Sequence, residues 1–124
     1  MKQRYEEERS KFFSLENHFL NTFFSGLYLS AADFIRIGRD NGIPLTMHSR
    51  EMLIKDLLNN SDKEGKLEGV VASLNAVIDE RINVYHRLSL EYPGARGPLA
   101  RLAQKATGTK SLLARESRGN PYEH

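Results

Sequence analysis

Apolar residues recur every three to four positions along most of this chain, and no stretch reads as a credible strand. From about Tyr5 to Ile37, the residues Phe12, Phe13, Phe19, Leu20, Phe23, Phe24, Leu27, Tyr28, Ala31, Phe34, Ile35 and Ile37 fall in one broad arc when plotted at about 100° per residue. Asn21, Thr22, Ser25, Asp33, Arg36 and Arg39 take the opposite side. The pattern predicts one long helix, in which Gly26 permits close packing. Asp40-Asn41-Gly42 then supplies a stop signal, with Pro44 two residues further on.

A second helix is expected from Thr46 or Ser49 to Leu58, with Met47, Ile54, Leu57 and Leu58 on one face and Asn59-Asn60-Ser61-Asp62 as the next turn. The third runs from about Lys66 to Glu91, its arc formed by Val70, Val71, Leu74, Val77, Ile78, Ile82, Val84, Tyr85 and Leu88. Pro93-Gly94-Ala95-Arg96-Gly97-Pro98 is the sharpest break: Pro93 stops the third helix and Pro98 suits the first position of another. Two short pieces follow, Leu99–Ala106 and Ser111–Glu116, joined at Thr107-Gly108-Thr109, with an extended tail over residues 118–124. The fold class implied is all-α, an antiparallel helical bundle of three long helices plus short C-terminal helical pieces. Within this single domain, residues 1–92 form the core and residues 93–124 a basic appendage and tail.

Composition narrows the chemistry. At 124 residues the chain has the size of one domain with a real core, and it contains no cysteine. That rules out cysteine-ligated zinc and iron–sulfur sites, thiol catalysis and disulfides, and makes a cytoplasmic location the expectation. The opening MKQRYEEERSKFF is a charged run, which argues against a signal peptide, and no apolar stretch is long enough for a membrane span. From Gly94 onward six basic residues, Arg96, Arg101, Lys105, Lys110, Arg115 and Arg118, face two acidic ones, Glu116 and Glu123; the preceding part holds 12 basic and 14 acidic residues. A cationic segment on a slightly acidic body points to an anionic partner there, either nucleic acid or an acidic protein surface. No cofactor is implied, and a protein partner or a second copy would suit apolar residues off the arcs, such as Leu29.

Two charges interrupt the apolar arcs. Glu16 lies between Phe12, Phe19, Phe23 and Leu27, and Arg81 between Leu74, Val77, Ile78, Tyr85 and Leu88. Because an unpaired buried charge is costly, the two are expected to pair across a helix interface; the alternative is that each reaches the edge of the bundle. Arg81 also opens Arg81-Ile82-Asn83-Val84-Tyr85-His86, an arginine followed after four residues by histidine. This spacing resembles the signature of the HEPN superfamily of small helical proteins, many of them metal-independent ribonucleases that dimerise so that two motifs face each other. The resemblance implies acid–base work on the ribose 2′-hydroxyl for His86 and phosphate binding for Arg81. It covers one hexapeptide, and Ile82 stands where a polar residue is frequent.

Residues 102–115 loosely resemble a helix-turn-helix unit, with Gly108 in the turn and a basic second helix, although Thr109 follows the turn where an apolar residue is expected. His18, His48 and His124 show no metal-ligand spacing. Three functions follow as expectations. The first is a non-enzymatic helical binding module, or small subunit of an assembly, that uses its basic C-terminal region. The second is a HEPN-like ribonuclease, and the third a helix-turn-helix-like DNA-binding regulator.

Overall fold

The computed structural model describes residues 11–118. Among these residues there are six α-helices and no strand, so the all-α bundle is the architecture found. The helices are α1 (Phe13–Leu20), α2 (Thr22–Ser25), α3 (Ala31–Asp40), α4 (Arg50–Lys63), α5 (Leu67–Glu91) and α6 (Arg96–Ser117), with a single 3-10 turn at Pro93–Ala95. The stretch from Tyr5 to Ser10, expected to begin the first helix, lies outside the described residues. Of the tail expected over residues 118–124 only Arg118 is described, and its backbone is still helical (φ −86°, ψ −7°).

The long first helix is broken into α1, α2 and α3, and each break has a local cause. Asn21 is extended, and its side chain accepts a hydrogen bond from the Phe23 amide, which caps α2. Gly26 ends α2 in the left-handed region (φ 76°), which only glycine adopts freely. Ser30 then opens α3 with a capping box: its hydroxyl accepts from the Asp33 amide while the Asp33 carboxylate accepts from the Ser30 amide. Between them the chain is non-helical, and both Leu27 and Leu29 enter the core, so Leu29 is fully buried rather than exposed. Phe23, Phe24 and Tyr28, expected on the apolar arc, face outward instead.

Helix α4 starts at the Ser49 cap and continues past Leu58, because Ser61 is buried and its hydroxyl satisfies the Leu58 carbonyl. The expected turn at residues 59–62 is therefore the last turn of the helix. Helix α5 matches its expected limits. At Gly69 its backbone approaches Asn41 so closely that a Cβ would lie 2.6 Å from Asn41 Oδ1. Asn41 in turn donates to the Ile37 carbonyl and to Ser73 Oγ, which fastens the end of α3 to α5.

The C-terminal segment is one helix rather than two short pieces. Gly108 has no positive φ, and Thr107 and Thr109 hydroxyls donate to the carbonyls of Ala103 and Lys105 one turn back. A mid-helix glycine costs about 1 kcal/mol relative to alanine, and packing along α5, the most extensive helix–helix contact among the described residues, offsets it. The turn that a helix-turn-helix unit requires is thus absent from residues 102–115. Pro98 occupies the third position of α6, still within the first turn where its missing N–H is not needed.

One core joins α1, α3, α4 and the first half of α5 through Phe12, Leu15, Phe19, Phe34, Leu53, Leu57, Leu74 and Ile78. Helix α6 adds Ala106 and Leu113 to it. Its opposite side faces solvent, and the candidate site lies there.

Candidate nucleic-acid interface

Helix α6 is 22 residues long, about 33 Å of rod at 1.5 Å per residue. Its buried stripe is Ala103, Ala106, Thr109 and Leu113. At about 100° per residue, Arg96, Arg101, Arg115 and Arg118 fall together on the outward side, in an arc of roughly 140°. All four are exposed, and none makes an ion pair among the described residues. Between them lie only small or neutral side chains, Ala100, Gln104, Thr107 and Ser111. Glu116, the one acidic residue of α6, falls outside the arc.

The two lysines behave differently. Lys110 Nζ donates to Asp79 Oδ1 of α5 at 2.6 Å, so its charge is largely matched within the chain. Lys105 Nζ sits 4.1 Å from the centroid of the exposed Phe23 ring. Of the six basic residues expected to touch an anionic partner, four arginines are without an ion pair among the described residues, one lysine lies over an aromatic ring, and one lysine is in a salt bridge.

Glu16 and Arg81 do not meet. Because the first segment breaks at Asn21 and Gly26, α1 turns Glu16 toward α4, where its Oε2 accepts from Asn59 Nδ2 at 3.2 Å. Helix α3 instead brings Asp33 to Arg81: Nη2 lies 3.6 Å from Asp33 Oδ2, and Nη1 3.7 Å from Glu80 Oε1. Arg81 thereby reaches the carboxylate that caps α3. His86 is exposed and lines an open groove of 530 Å³ between α5 and α6, together with Ile82, Ser89, Arg96, Ala100 and Gln104. Since α5 is unbroken, Arg81 and His86 project about 140° apart around it, and one copy does not bring them together.

The rest of the site's framework is a buried polar knot that holds α6 in register. Tyr85 Oη donates to the Gly26 carbonyl, and burial raises the Tyr85 pKa, partly opposed by the nearby Arg81 charge. Fully buried Thr109 donates its hydroxyl to the Ser25 carbonyl at 2.9 Å, sharing it with Lys105 O, and lies 2.9 Å from His18 Nε2. With the threonine proton used this way, His18 Nε2 serves as the donor to Thr109. Burial lowers the His18 pKa below its ordinary value, which favours the neutral ring. A Cβ on Gly26 would lie only 2.5 Å from the Leu102 carbonyl and 2.8 Å from the Ala106 amide, so the turn sits directly on the α6 backbone.

Among the described residues, no three His, Cys, Asp or Glu side chains are grouped to hold a metal, and no helix is long and apolar enough to cross a membrane. The exposure of the aromatics in the Asn21–Tyr28 segment is not legible from period alone, since they keep the helical phase of a buried arc. The Asn21 cap and the Ser30-x-x-Asp33 box were the available signals. No family model matches the chain, and no curated protein or solved structure is significantly similar to it.

Proposed function

We propose that this protein is a non-enzymatic helical binding module that docks on nucleic acid through the outward face of α6. The observation that carries the reading is the arc of Arg96, Arg101, Arg115 and Arg118, exposed and unpaired among the described residues. Arginine's planar fork suits phosphate oxygens, and small neighbours on the arc let a phosphate backbone approach closely. An array of this kind gives affinity and orientation without base readout.

The test is fluorescence anisotropy with labelled nucleic acid over a range of salt. Each phosphate contact contributes roughly 0.7–0.9 to the slope of log K against log salt. Replacing the four arginines by glutamine should therefore flatten the slope by about three and weaken binding steeply at low salt. An unchanged slope, or no binding at low salt by the parent protein, refutes the reading.

A HEPN-like ribonuclease is the second reading, supported by His86 standing exposed on a groove it shares with Arg96. It requires a second copy to bring Arg81 to His86. Metal-free RNA cleavage, lost in both Arg81→Ala and His86→Ala with folding intact, is the outcome it demands.

A further inference from the structure

Three large aromatic side chains stand out of the surface within six residues: Phe23 (71% exposed), Phe24 (57%) and Tyr28 (53%). They flank the Gly26 turn, which Tyr85 and the α6 backbone clamp, so the rings are carried on a fixed platform. Phe23 and Phe24 meet edge to face, with centroids 5.6 Å apart and planes at 75°. Cations border both ends of the segment: Lys105 Nζ lies over the Phe23 ring, and the Arg50 guanidinium carbon sits 4.2 Å from the Tyr28 centroid. Lys105 in turn lies one helical turn from Arg101, the nearest member of the arginine arc, so the aromatic surface runs into the cationic one.

From this juxtaposition we infer that the ligand of the α6 face is a single-stranded nucleic acid, its bases stacking on Phe23, Phe24 and Tyr28 while Lys105 and Arg101 hold the adjoining phosphates. The inference rests on the nucleic-acid reading of α6 and narrows it. Exposed π faces beside a cationic track match single strands, whose bases are free to splay onto rings. In a duplex the base faces are already occupied by their neighbours, so the platform has nothing to receive. Stacking does not read the 2′-hydroxyl, so RNA and DNA strands are both ligands.

The discriminating variant is Phe23→Leu/Phe24→Leu, which keeps apolar surface but removes the π faces. Both residues are exposed, so the core is untouched, and unchanged circular dichroism verifies this. Binding is measured by anisotropy with labelled oligo(dT), oligo(U) and an oligo(dA)·oligo(dT) duplex, and by sedimentation with anionic phospholipid vesicles. The expected result is about a tenfold or greater loss of single-strand affinity, with duplex affinity changed by less than about twofold. Single-strand binding as tight as the parent's, alongside its loss on replacing the arc arginines, refutes the platform and leaves the α6 reading standing. A parent protein that prefers the duplex also refutes it. Vesicle binding by parent and leucine variant alike, without nucleic-acid binding, overturns both readings together.

Discussion

Placing a methyl group at Gly26 tests the central claim of the fold, that the turn after α2 rests directly on α6. The backbone there is left-handed (φ 76°), which disfavours an L-residue by roughly 1–2 kcal/mol. The added Cβ would lie 2.5 Å from Leu102 O, 2.7 Å from Lys105 Cβ and 2.8 Å from the Ala106 amide. None of these is the far end of a flexible side chain, so the turn itself must retreat, an overpacking cost of about 1–3 kcal/mol. Retreat also stretches the bonds from Tyr85 to the Gly26 carbonyl and from Thr109 to the Ser25 carbonyl. Gly26→Ala should therefore destabilise the protein by about 3–5 kcal/mol, a large share of the roughly 5–15 kcal/mol typical of a domain. In urea denaturation, with a slope of about 2 kcal/mol/M, the midpoint should fall by about 2 M. Gly108→Ala supplies the contrast: its Cβ would meet nothing within 4 Å, and the helix interior favours alanine, so the midpoint should rise by about 0.3–0.5 M. A Gly26→Ala loss below about 1 kcal/mol, or the same sign for both variants, would sink the argument.

The buried knot yields two further expectations. Thr109→Val keeps the shape but removes the hydroxyl, leaving the Ser25 carbonyl without its donor; thermal melts should show a loss of about 1–2 kcal/mol, and Thr109→Ser a smaller one. If the valine variant melts with the parent, the hydroxyl contributes nothing. Because burial lowers the folded-state pKa of His18, its contribution to stability is complete above the unfolded value of 6.5 and is lost as pH falls through the lowered folded value. Urea midpoints measured across that acidic window should decline in the parent and decline less in His18→Gln; identical pH profiles would show that His18 is not the group responsible.

How far the sequence disclosed this arrangement differs from element to element. Helix α5 was legible throughout, because Gly65 and Pro93 punctuate it and its arc from Val70 to Ile78 faces the core. The first segment is ambiguous in sequence because residues 23, 24, 27 and 28 satisfy a helical period while Leu27 and Leu29 equally satisfy an extended one. Period alone does not choose between them, whereas the caps at Asn21 and Ser30 do. Gly108 carries the composition of a turn, and packing against α5 overrides it. At the candidate site the cations were visible but not their neutralisation: Asp79 is 31 positions from Lys110, and Asp33 reaches Arg81 only after α3 has turned at Ser30.

The side chains of α5 and α6 are buried unevenly along the hairpin the two helices form. The buried residues of α5 end at Ile78, and those of α6 begin at Ala103. Tyr85 still ties α5 to the Gly26 turn, but past it the Pro93–Ala95 turn contacts only α5 and α6 among the described elements, a condition that favours local opening at less than the global cost. The cationic face is thus mechanically graded. Arg115 rides on a stiff root set in the core and Arg101 stands beside the Gly26 contact, while Arg96 rides on a compliant tip, so one part of the face fixes the docking position and the other conforms to the curvature of what is docked.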